Sequence, residues 1–181
     1  LVFVVVAVAL KLGAVPFHMW VPDVYHGAST AVTALVGTAP KIAAAVFAFR
    51  ILVTGLGALH TDWVPMLNML ALASLLVGNL AAVVQTNIKR MLAYSTVSHM
   101  GFVLLAFMGG LEGFSAALYY ALTYALMALT GFGVLMLLSR EGRDCEEIAD
   151  LAGLNQRHPW YAFLMLLVMF SMAGIPPLMG F

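Results

Sequence analysis

The sequence predicts an all-α fold, a polytopic transmembrane helix bundle. Three observations carry that prediction. The chain is 64% apolar and only 9% charged over 181 residues. Its apolar residues fall into runs of roughly 20, the length a membrane-crossing helix needs. Glycine and proline near Gly13–Pro16 interrupt the first run at what would be membrane depth.

The composition excludes several classes. Soluble domains run at about 45–50% apolar and about 25% charged. Eight acidic and eight basic side chains cannot clothe a protein of this size in water, so lipid is its outer solvent. The formal net charge is zero, which gives no electrostatic basis for binding nucleic acid. Cys145 is the single cysteine, so no internal disulfide and no zinc or iron–sulfur spacing exists, and no metal site is expected. The chain starts at Leu1 inside one apolar run and stops at Phe181 inside another, without an initiator Met or a signal peptide. This reads as an internal segment of a longer subunit, with residues 1–181 forming one membrane domain.

Six spans are expected. The first runs from Leu1 to about Leu12, and Gly13 and Pro16 then break it. A shorter half from Phe17 to about Tyr25 continues it. The others cover about Thr30 to Leu56, Val64 to Val84, Met91 to Met108, Phe114 to Leu138, and Trp160 to the Gly174–Pro177 breaker. The segment 139–158 is the one long polar stretch, with Arg140, Glu141, Arg143, Asp144, Glu146, Glu147, Asp150 and Arg157, and it reads as a surface loop. Connections on one face carry Lys89, Arg90, Arg140, Arg143 and Arg157, while His60–Trp63 and Gly109–Gly113 on the other carry no Lys or Arg. Positive charge collects on the cytoplasmic side, which makes 139–158 a cytoplasmic loop. Trp20 and Trp160 are expected near that interface and Trp63 near the other.

Polar residues inside the spans are the candidates for function. A Lys or Arg at the bilayer centre costs on the order of 2.5–3.5 kcal/mol on insertion scales. Lys11 follows ten apolar residues, Lys41 lies well inside the second span, and His99 lies mid-way along the fourth. Each has a plain reading beside the functional one: Lys11 can snorkel, Lys41 can be a packing ion pair, and His99 can be a structural histidine satisfied near Ser95 and Ser98. Arg50 is nine residues beyond Lys41, about 13 Å along a helix, and snorkelling suffices for it. The functional reading is a proton path. A lysine in hydrocarbon is driven toward losing its proton and a nearby carboxylate restores its hold, so moving the partner switches the group. Histidine titrates near neutral pH without help. Hydroxyls of Tyr94, Ser95, Ser98, Thr123 and Tyr124 can extend such a row, and His18 belongs to the same axis. Pro16 and Pro40 each remove a helical N–H close to a lysine, so Gly13, Pro16 and Pro40 are expected to break helices beside the relay. Transporters place ion sites at such breaks.

Three stretches resemble one family. The run from Leu10 to Ala28, LKLGAVPFHMWVPDVYHGA, looks like the broken-helix motif of the antiporter-like subunits of respiratory complex I. Its Asp-Val-Tyr-x-Gly-Ala form is similar to the N branch of the bacterial NADH–quinone oxidoreductases. The run Gln85 to Gly101 and the set Ala152–Leu154, His158–Pro159, Ser171–Pro177 and Gly180–Phe181 resemble two further signatures of that family. The likeness covers essentially the whole chain, in order. It departs at Gly27-Ala28-Ser29-Thr30-Ala31-Val32, where the family usually carries two prolines.

The resemblance implies inverted repeats of helices that form half-channels. Lys11 matches the lysine paired with a glutamate on an earlier helix, Lys41 the central lysine, and His99 a histidine on the polar axis. It implies proton translocation in a multi-pass subunit of the bacterial inner (cytoplasmic) membrane, as part of an oxidoreductase but with no redox centre in this chain. Quinone, NADH, FMN and iron–sulfur clusters are expected in partner subunits, and the partners are other membrane subunits of complex I. Rival readings are a subunit of a multi-subunit cation/proton antiporter or membrane-bound hydrogenase, and a purely structural scaffold.

Overall fold

The computed structural model of the chain describes residues 1–139 and 145–180. Arg140, Glu141, Arg143 and Asp144 of the expected loop, and Phe181 of the last motif, lie outside the described residues. Eight α-helices follow in order among those described: α1 Val2–Leu12, α2 Trp20–Gly27, α3 Thr30–Phe49, α4 His60–Val83, α5 Ile88–Phe107, α6 Gly110–Leu138, α7 Leu154–Arg157 and α8 Pro159–Met172. A π-helical turn, Arg50–Gly55, extends α3, and 3₁₀ turns occupy Gly57–Leu59 and Ile148–Leu151. All six apolar runs are helical. The stretches Thr30–Gly55, Gly57–Val83 and Glu112–Leu138 are long and apolar enough to cross a membrane.

α5 is the hub, packed against α2, α3, α4 and α6. Its position explains its composition. A helix walled by protein on most sides can keep Thr96, Ser98 and His99 buried, where a lipid-facing helix could not. α4 is the opposite case, with Met69, Leu72, Leu76, Leu80 and Val83 on an exposed apolar flank. The two helices meet along small residues. A Cβ placed on Gly78 of α4 would stand 2.8 Å from the Ser98 backbone nitrogen, and one on Gly101 of α5 would stand 3.0 Å from the Ala71 carbonyl oxygen. Lipid offers apolar side chains as good a home as protein does, so close backbone approach of this kind is what holds membrane helices together.

Asn87 caps α5 by accepting a hydrogen bond from the Arg90 amide at 3.1 Å. The segment after the undescribed residues 140–144 pairs with this start. The Ile88 amide donates to the Glu146 carbonyl at 2.7 Å and the Ile148 amide to the Thr86 carbonyl at 2.9 Å.

Three expectations need correction. The second half of the broken helix begins at Trp20 and not at Phe17, because residues 14–19 form turns that realign the chain. Pro40 breaks nothing: α3 runs through it from Thr30 to Phe49, and the irregular turn of this span comes later, at Arg50–Gly55. A proline within a buried helix loses one hydrogen bond, which neighbouring helices can compensate. Lys89, expected in a connection between spans, lies in the first turn of α5 and is 1% exposed.

Candidate functional site

The site begins with how α1 stops. Gly13 takes the left-handed conformation, φ 80° and ψ 35°, which L side chains avoid. Its amide donates to the Leu10 carbonyl and the Ala14 amide to the Ala9 carbonyl, at 3.1 and 2.8 Å. This is a Schellman termination, with a glycine where the backbone demands one. Space demands it too, since a Cβ here would lie 2.6 Å from Val21 Cγ2 and 3.3 Å from Lys41 Nζ.

The polar groups that the break exposes are then satisfied from other helices. Lys41 Nζ, brought up by α3, donates to the Leu12 carbonyl at 2.8 Å. Trp20 Nε1 donates to the Leu10 carbonyl at 3.0 Å. The Val15 amide donates to Ser74 Oγ of α4 at 2.9 Å, and Ser74 in turn donates to the Leu70 carbonyl at 2.6 Å. Carbonyls at a helix C-terminus carry partial negative charge, so the end of α1 is a natural seat for a cationic group. Lys41 is 1% exposed and also lies over the Trp20 ring, 4.7 Å from its centroid. Among the described residues no carboxylate pairs with it.

Lys11 is set differently. It is on the exposed side of α1, with its ammonium 4.6 Å over the Phe47 ring. The two lysines flank the same break, and the chain buries only Lys41.

A second polar group is built by α5 and α6. His99 Nδ1 and the Tyr120 hydroxyl are hydrogen-bonded at 2.7 Å, and the His99 ring stands 4.7 Å from that of Tyr124. The Tyr124 hydroxyl and Thr96 Oγ1 are 2.6 Å apart, and Thr96 also donates to the Leu92 carbonyl at 2.9 Å. Ser98 Oγ accepts from Asn79 Nδ2 of α4 at 3.0 Å. His18 is buried, with no partner for Nδ1 among the described residues, its ring 6.3 Å from that of Tyr94. Tyr94 and Ser95 are half-buried. Thr123 turns back to the Tyr119 and Tyr120 carbonyls on its own helix, the plain reading for a helical threonine.

The structure buries Lys41, His99 and Tyr124 and ends α1 at Gly13, while the local hydrogen bonds that Ser95 and Ser98 offered His99 are not made. The partner is Tyr120, not Ser95 or Ser98. Tyr120 and Tyr124 are four residues apart, one face of one helix, and that spacing was the available signal. The Trp20 indole folds back onto the end of α1 and floors Lys41. The Leu12 carbonyl left no trace in side-chain identity.

At the start of α5 a third polar cluster ties α2 to the segment after 144. Lys89 Nζ donates to Glu146 Oε1 at 2.7 Å and to the Ala28 carbonyl at 3.3 Å. Arg90 Nη1 donates to Asp23 Oδ1 at 3.1 Å, and His26 Nε2 stands 3.8 Å from Glu146 Oε2.

Comparison with known proteins places this arrangement. Residues 1–181 match the family described as NADH:quinone oxidoreductase/Mrp antiporter, TM. The chain belongs to this family. A protein of Neisseria gonorrhoeae named NADH-quinone oxidoreductase subunit N is 79% identical over 100% of this chain, which spans 38% of that relative. Respiratory complex I from Thermus thermophilus with bound aureothin contains a chain that is 37% identical, with a TM-score of 0.79, covering 97% of this chain and 38% of that one. A chain of the Mrp complex from Dietzia is 27% identical with a TM-score of 0.84, covering 97% of this chain and 33% of that one. The chain thus spans well under half the length of the relatives it matches, and within that span the family likeness is complete from end to end.

Proposed function

We propose that this chain is the proton-carrying part of a membrane subunit of a bacterial NADH–quinone oxidoreductase. The observation that carries the reading is the seat of Lys41, a buried amine on the carbonyl end of a broken helix with no carboxylate partner among the described residues. An amine donates a hydrogen bond to a carbonyl whether it is charged or neutral. The same geometry therefore serves a lysine that has just received a proton and one that has just released it. A fixed carboxylate would favour only the charged form.

In this reading Lys11, at the other side of the break, is the switch lysine that answers a carboxylate supplied elsewhere in the complete subunit. Lys41 is the central relay. His99, with Tyr120, Tyr124 and Thr96, passes the proton onward, and His18, Tyr94, Ser95 and Ser98 support the axis. Redox chemistry belongs to partner subunits that hold NADH, FMN, iron–sulfur clusters and quinone. Their energy reaches Lys41 through conformation and electrostatics. The segment 139–158 lies on the cytoplasmic side of the inner membrane, in keeping with its basic residues.

A cation/proton antiporter subunit is the second reading, favoured by the likeness to the Mrp complex chain. The 79% identity to a relative named NADH-quinone oxidoreductase subunit N supports the first reading over it. The test is Lys41→Met in the complete subunit, assembled in its complex and reconstituted in sealed vesicles. Proton translocation per electron should fall while the complex assembles with all its subunits. An unchanged proton-to-electron ratio overturns the assignment of Lys41, and copurification with antiporter subunits in place of quinone reductase subunits overturns the choice of complex.

A further inference from the structure

One side chain is buried between the two polar groups and is used by neither. Tyr25 of α2 is 0% exposed, and among the described residues its hydroxyl makes no well-formed hydrogen bond. Buried hydroxyls are rarely left so, because an unsatisfied polar group in a dry interior costs free energy. Its surroundings are specific. On one side is a single stripe of α3. Thr33 donates to the Tyr25 carbonyl at 3.0 Å, and one turn on, a Cβ at Gly37 would come within 3.0 Å of the Tyr25 hydroxyl oxygen. Lys41 is the next residue on that stripe, about 6 Å further along the helix axis. On the other side are α5 and α6. The hydroxyl lies beside Thr96, near enough for a long hydrogen bond, and close to Tyr124, the pair already hydrogen-bonded to each other beside His99. Thr96 Oγ1 donates to the Leu92 carbonyl, so it retains acceptor capacity toward Tyr25. Phe132 packs edge-on against the Tyr25 ring at 5.9 Å between centroids and fixes its direction.

We propose that Tyr25 joins the Lys41 pocket to the His99 cluster, its hydroxyl anchoring a water-bridged hydrogen-bond link between the α3 stripe and the Thr96–Tyr124 pair. Gly37 belongs to the same device, since any larger residue would take the space the hydroxyl occupies. Tyr25 is a relay residue here, touching the proton itself. As a proton crosses, its oxygen accepts one and releases another, so no net charge rests on it. The inference rests on the proton-relay reading of Lys41 and His99 and adds the connection between them.

The test uses the complete subunit in its assembled complex, in sealed vesicles, with three variants. Tyr25→Phe removes only the oxygen. It should lower proton translocation per electron, with assembly and thermal stability unchanged, and should change the solvent deuterium isotope effect on turnover. Gly37→Ala, which displaces the hydroxyl, should lower translocation in the same way. The two together should be no worse than Tyr25→Phe alone, because a methyl at 37 has no oxygen left to displace. If Lys41→Met abolishes pumping while Tyr25→Phe pumps at the wild-type ratio with an unchanged isotope effect, the link is wrong and the relay reading stands. If Lys41→Met itself pumps normally, the relay reading falls first. Losses at 25 and 37 that add in the double variant mean that both residues act through packing, which also overturns the link. Should Tyr25→Phe fail to assemble, Gly37→Ala alone decides by its proton-to-electron ratio.

Discussion

Lys41 and Lys89 are equally buried, each 1% exposed, and are held in opposite ways. Lys89 sits at the start of α5 with Glu146 2.7 Å away, in a cluster that also holds Arg90, Asp23 and His26. Lys41 sits at the end of α1 on a carbonyl oxygen and an aromatic face. A carboxylate at hydrogen-bond distance pins a charge and the two chain segments that carry it. A carbonyl and a ring also favour the charged amine, but less strongly than a carboxylate does, so the proton is released more easily. Burial alone therefore does not tell these two lysines apart; the partner does.

The sharpest way to break this comparison is to remove both amines separately. Lys89→Met leaves Glu146, which is 31% exposed, without this ammonium and should cost less than the roughly 3–5 kcal/mol of a fully buried pair. It should show as lost or thermally labile complex in detergent. Lys41→Met should assemble and fail to pump. Reversed outcomes, with Lys89→Met stable and non-pumping, would exchange the two roles.

The next effect falls on the seat itself. Gly13→Ala forces a side chain into a left-handed conformation at about 1–2 kcal/mol and drives its Cβ into Val21. It should lower thermal stability and, by displacing α2, loosen Trp20 from Lys41 and reduce pumping. A smaller effect is expected from Trp20→Phe, which loses the bond to the Leu10 carbonyl at about 1 kcal/mol but keeps a ring near Lys41. Pumping should survive it, and Trp20→Leu, which removes the ring, should pump less well than Trp20→Phe. The smallest is Arg90→Gln. Its partner Asp23 is 71% exposed, so less than about 1 kcal/mol is at stake, and raised salt should erase the difference from wild type in a thermal melt.

The sequence made some of this legible and hid the rest for physical reasons. Helix positions could be read because lipid imposes length and composition, and the spans at Thr30, Gly57 and Glu112 follow. The break at Gly13 was legible because a left-handed residue and a nearby proline have few other uses. Pro40 was misread by the same logic, since proline forbids one hydrogen bond but does not dictate whether packing restores it. Lys89 was placed in a connection because its acid, Glu146, lies 57 residues away, beyond the undescribed residues 140–144. The seat of Lys41 could not be found at all, because every residue type carries the carbonyl that holds it. Tyr120 could have been found from its four-residue spacing to Tyr124, a face of hydroxyls on an otherwise apolar helix.

The glycine contacts between α4 and α5 bear on which parts of the bundle can move. Where backbones touch with no side chain between them, neither rod can slide or roll without opening a void or a collision. Gly78 against Ser98 and Gly101 against Ala71 make these two rods one stiff wall, and Ser74 in that wall anchors the amide of Val15. Under the proposed relay, rearrangement beside Lys41 comes from the opposite bank, where α2 and α6 meet the hub through rings and hydroxyls.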